Sequence, residues 1–205
     1  MTRTHYAFGW GYVVLCVILM RGAMTSPRGT HGASPVVAQP AATSAEWFRQ
    51  VKPYCNPVEI GMLQRLPPHP KTIQGAGYHA ACFALAGRVD DARRTIDRLQ
   101  PQNRAKAAGI VFNVAHPVAD AGDDKSAGPI MEMVVDYWPT HYMALYHAGM
   151  AEYMLGQRDL ARKNLRSFLE HYHQADGWTA NAKTVLKRLD SPVEAPLERV
   201  RDPGS

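Results

Sequence analysis

Leu145–Phe168 reads LYHAGMAEYMLGQRDLARKNLRSF. Small and apolar residues recur at helical spacing as far as Gly156, break there, and resume through Ala161, Leu165 and Phe168, which share one face of a second helix. A glycine between two periodic runs is the signal of a tight turn. One such hairpin cannot bury both of its apolar stripes, so the pattern should recur. It does. Gly87, Gly122 and Gly156 fall 35 and 34 residues apart, and each is followed five residues later by an alanine, Ala92, Ala127 and Ala161. Seven residues before each glycine the side chain is small (Ala80, Ala115, Gly149). Nine and twelve residues after it come apolar residues: Ile96 and Leu99, Met131 and Val134, Leu165 and Phe168. Each unit is therefore expected to be a helix–turn–helix whose glycine makes the turn and whose small positions let neighbouring helices approach closely.

On these residues the chain resembles the tetratricopeptide family, in which helical pairs of about 34 residues stack side by side. The first unit reads His79-Ala80-Ala81-Cys82-Phe83-Ala84-Leu85-Ala86-Gly87, then Asp90-Asp91-Ala92, Ile96 and Leu99. The middle unit departs most, with Pro117 inside its first helix, where a backbone hydrogen bond is lost and a kink is expected; Pro139 stands where the family often carries a terminating proline. The resemblance covers residues 72–175 and implies an all-α, tetratricopeptide-like helix-turn-helix repeat array of about three units plus capping helices. It implies a scaffold that binds a protein or peptide, and it leaves the partner open, because the family reuses one architecture for many ligands.

Of 23 Lys and Arg, three (Arg3, Arg21, Arg28) lie in the first 43 residues, which hold no acid, so the remainder carries 20 bases against 18 acids. A near-neutral body without a basic stripe argues against nucleic-acid binding. The apolar run Val13–Met20, preceded by Arg3, has the length of a signal-peptide hydrophobic region. Residues 1–24 are read as a signal peptide or short membrane anchor, and 25–43, rich in Pro, Ala, Ser and Gly, as a flexible linker. That places the body outside the inner membrane: periplasmic, or anchored and facing the periplasm, as an envelope type of repeat protein.

Thr43 and Glu46 have capping-box spacing ahead of Trp47, Phe48 and Val51, and Pro53 ends that helix. Asn56-Pro57 opens a second expected helix with Val58, Met62, Leu63 and Leu66 on one face. Residues 44–71 should thus form amino-terminal capping helices. Asp176 precedes a stripe of Trp178, Ala182, Val185, Leu186 and Leu189, the expected carboxy-terminal capping helix at 176–190, and 191–205 reads as a disordered tail. Cys55 and Cys82 either form one bridge, as two cysteines of an exported domain can, or remain buried thiols.

No Walker loop, dinucleotide fingerprint, zincin helix or paired CxxC occurs, so no catalytic residues, cofactor or dedicated metal site are assigned. His116, Asp120, Asp123 and Asp124 form the one polar cluster with metal potential, and the alternative reading is a metal protein or enzyme centred there. Asp123 or Asp124 is also well placed to cap the next helix. His141, His147, His171 and His173 are expected to be surface histidines. The stripe opposite the packing positions of each first helix contains Phe112, His116 and Asp120 in the middle unit and Met143, Tyr146, Met150, Tyr153 and Met154 in the third. Left over once the core is satisfied, these eight residues would line a concave groove rich in methionine and aromatic side chains and hold a partner. The function expected is a non-enzymatic interaction adaptor; a structural subunit of a stable envelope complex is the remaining alternative.

Overall fold

The computed structural model describes residues 43–191, and among them there is no strand. The expectations for residues 1–42 and 192–205 lie outside the described residues. Eight α-helices follow in order: α1 (Ser44–Val51), α2 (Ile73–Leu85), α3 (Val89–Asp97), α4 (Pro101–Asp120), α5 (Asp124–Tyr137), α6 (Tyr142–Met154), α7 (Arg158–His171) and α8 (Gly177–Asp190). Two 3₁₀ turns, Lys52–Tyr54 and Ile60–Arg65, fill the gap between α1 and α2. The protein is an all-α helical-repeat array.

Three hairpins, α2/α3, α4/α5 and α6/α7, turn at Gly87, Gly122 and Gly156, with φ of 73°, 78° and 77°. No other described residue has a positive φ. After each glycine the next amide donates to the carbonyl five residues back: Arg88 to Phe83, Asp123 to Val118 and Gln157 to Glu152. This is the Schellman termination, in which a left-handed residue lets orphaned helix carbonyls find donors, and glycine adopts that conformation without steric cost. One turn chemistry is used three times.

The matched positions are core positions. Ala92, Ala127 and Ala161, then Ile96, Met131 and Leu165, are buried in all three units, as are Val134 and Phe168; Leu99 is half-buried. A Cβ on Gly149 would stand 2.7 Å from the Leu165 side chain, so α6 and α7 pack nearly backbone to side chain. Stacking between units is less regular. The first and second units meet through α2 and α4, where a Cβ on Gly77 would lie 2.8 Å from Ile110. The second and third meet through α5 and α6, where a Cβ on Gly128 would lie 2.8 Å from Ala151. The space between α4 and α6 is consequently bridged by large rings.

Pro117 does not break α4, which runs through it to Asp120 as one helix. The segment after Asn56 differs from its expected amphipathic helix: it is a 3₁₀ turn that buries Ile60 and leaves Val58 and Met62 exposed. Its neighbours explain why. Trp47 Nε1 donates to the Pro67 carbonyl (2.8 Å), Phe48 stacks on Tyr78, and Cys55 is bridged to Cys82, so α1 already occupies the face that a second full helix would need. At the far end α8, capped by Asp176, packs Ala182, Val185, Leu186 and Leu189 against Leu145, Tyr146, Leu165 and Phe168.

Candidate interaction face and histidine cluster

Helices α4, α6 and α8 bring their large side chains together along one ring-to-ring path. Trp138, at the end of α5, meets the His141 ring edge-on at 4.7 Å; His141 lies 4.1 Å from Phe112, which stacks on His116 at 4.7 Å. His116 meets His147 at 5.0 Å, and His147 and Tyr146 both stand edge-on to Trp178, at 5.7 and 4.9 Å. Tyr142 stacks on Tyr172 at 5.0 Å. The polar edge and negative face of such rings favour these offset and perpendicular approaches.

The eight residues expected to line an open groove divide. Phe112 and Tyr146 are buried; Met143, Met150 and Tyr153 are half-buried against the core; Met154 is exposed; His116 is partly accessible and Asp120 open. The continuous open stripe is thus corrected: α8 crosses α6 and covers Tyr146, whose hydroxyl accepts from Asn181 Nδ2 at 2.7 Å. Burial raises the Tyr146 pKa and the Asn181 hydrogen bond opposes it. Besides Met154, three large aromatics stay accessible, Trp138, Tyr142 and Trp178, exposed by 40%, 41% and 37%, and of these the sequence pattern singles out only Trp178. Trp178 was expected in the buried stripe of α8, but it sits at the first turn of that helix, one step short of the covered positions. Beside Trp138 lies an open hollow of about 480 Å³ bounded by Lys106, Gly109, Ile110, Asn113 and His141.

The polar residues also regroup. Asp123 accepts from the Ser126 amide as the N-cap of α5 and is not gathered with His116 and Asp120; nor is Asp124, a half-buried carboxyl whose pKa burial and Asp123 raise. Their place is taken by His147. His116 Nε2 stands 3.4 Å and His147 Nε2 3.6 Å from Asp120 Oδ1. His171 and His173 are exposed as expected, whereas His141 is half-buried and His147 buried. His141 caps α6, its Nδ1 accepting from the Ala144 amide at 3.2 Å, and burial lowers its pKa, which keeps that lone pair free. Burial, then the nearby His116, pushes His147 down to about 4, against the opposing charge of Asp120. The sequence signal for the regrouping was weak: His116 and Asp120 are one helical turn apart, but His147 joins them from another unit.

Three stacked helical hairpins, with α1 packed on the first and α8 on the last, make a helical-repeat array among the described residues. Residues 143–174, which are α6, α7 and the turns around them, match the family model described as tetratricopeptide repeat. That match supports a tetratricopeptide-repeat protein, with the two earlier hairpins repeating the same turn and core positions. No significant match occurs among curated proteins or among solved structures.

Proposed function

We propose that the chain is a non-enzymatic, exported adaptor that seats a protein or peptide partner on the face bearing Trp138, Tyr142 and Trp178. A helical-repeat array of this family suggests a role in protein–protein interaction. The observation that carries the finer reading is the half-exposure of three large aromatics linked to one buried ring network. Aromatic side chains anchored from below present contact area at little entropic cost, which is why they dominate interface energetics. The hollow beside Trp138 offers a place for an apolar side chain of the partner. An envelope location is supported by the apolar run Val13–Met20 and by the Cys55–Cys82 bridge, since disulfides persist in oxidising compartments. None of the described helices is long and apolar enough to cross a membrane.

The test is crosslinking of the full chain in its own cells beside a Trp138→Ala/Tyr142→Ala variant. The variant is expected to melt within a few degrees of the parent and to lose the crosslinked partner. Equal recovery from both would refute the assignment of this face.

A further inference from the structure

We propose that His116, Asp120 and His147 bind a divalent transition-metal ion of the zinc class, through Nε2 of each histidine and Oδ1 of the aspartate, at the junction of α4 and α6. The three ligand atoms lie within 4.8 Å of one another, although they come from two different repeat units. Two of the separations, 3.4 and 3.6 Å, are longer than an ordinary hydrogen bond of about 2.7–3.2 Å. They approach the edge of a coordination tetrahedron: ligands about 2.0–2.1 Å from zinc lie about 3.3 Å apart.

A second observation points the same way. Nε2 of His116 and Nε2 of His147 are both buried and have no hydrogen-bond partner. An unpartnered buried polar atom costs free energy, and a metal ion between the rings would supply both nitrogens with a partner at once. The His147 side chain, 6% exposed, is held in place by Trp178 and Tyr146, and His116 is held by its stack on Phe112. Neutral imidazole is the ligating form. Two imidazoles and one carboxylate suit zinc and its first-row neighbours far better than calcium or magnesium, which take all-oxygen shells. Asp120, 46% exposed, forms the open side, which leaves a fourth position to water. A bound ion would tie the second unit to the third where α4 and α6 meet through rings. The inference rests on these three ligands and is independent of the adaptor reading.

The experiment titrates zinc alone into the full chain after chelator treatment, by calorimetry and by thermal melting, with cobalt(II) as a visible-absorption probe. One equivalent should bind. Tm should rise by roughly 5 °C when free zinc exceeds Kd about a hundredfold, and cobalt should give absorption of tetrahedral intensity. Asp120→Asn, a change at an accessible carboxylate that leaves the packing alone, should weaken zinc binding by more than roughly tenfold; His147→Gln should do the same, and His171→Gln should have no effect. No binding by the parent, unchanged binding in Asp120→Asn, or a preference for calcium or magnesium over zinc would each overturn the site.

Discussion

Glu152 is a carboxyl buried on α6, with Asn164 Nδ2 reaching both of its oxygens at 2.7 and 2.9 Å. Burial pushes its pKa up to about 7 from 4.5; the Asn164 hydrogen bond and Lys163 oppose the rise, and Glu132 adds to it. Between those two values the folded chain holds a proton that the unfolded chain has released, so this group's contribution to stability declines as pH rises from 4.5 to 7. Glu152→Gln keeps an oxygen for Asn164 and removes the titration. Urea unfolding at pH 5 and pH 8 should show the variant gaining on the parent at the higher pH by roughly 1–3 kcal/mol; parallel behaviour at both pH values would contradict the buried-acid account. His79 works in the opposite sense. Burial first, then His69 and Arg98, hold it at about 4, so its contribution is present above 6.5 and is lost as pH falls toward 4. Neither group was legible in the sequence, because burial belongs to a three-dimensional neighbourhood that a single helix's pattern does not specify.

At the scale of elements, local chemistry was well written into the chain. The capping box of Thr43 and Glu46 forms, Asp176 caps α8, and the three glycines take the left-handed conformation that their spacing implied. Gly156→Ala should cost roughly 1–2 kcal/mol, since no atom crowds the site and only the backbone conformation opposes a Cβ. The check is the denaturation midpoint: a loss near zero would mean that the turn relaxes out of the left-handed region. The expectations that failed concern how elements share space. The segment after Asn56 has the apolar spacing of a helix, yet α1 and the Cys55–Cys82 bridge had filled the adjacent surface, so Ile60 is buried, Leu63 and Leu66 are half-buried, and Val58 and Met62 stay exposed. Pro117, by contrast, stands inside α4 as its place in the sequence implied, and the helix runs through it with Phe112, Ala115 and Ala119 of the flanking turns in the core.

For the whole molecule, the ends of the array matter as much as its repeats. The Cys55–Cys82 bridge closes a loop of sequence separation 27 and fastens the cap to α2. Reduction should lower stability by about 2–4 kcal/mol, because the unfolded chain regains the entropy of that loop. Hydrogen exchange should then show protection lost first in α1 and α2, with α6–α8 little changed. Uniform loss along the array would mean that it unfolds as one cooperative unit. The opposite end settled the fate of the groove: α8 contributes Val185, Leu186 and Leu189 to the core that seals Tyr146, while Met154 and the aromatics Trp138, Tyr142 and Trp178 stay accessible.

The spacing of glycine, alanine and apolar residues was enough to determine three helical hairpins and the positions that pack inside them, because turn conformation and stripe burial are decided within about 34 residues of chain. Which large side chains remained accessible, and the meeting of His116, Asp120 and His147, were decided only by tertiary structure. Both depend on how α4, α6 and α8 stack, and stacking is a contest among surfaces far apart in sequence that share the same apolar character.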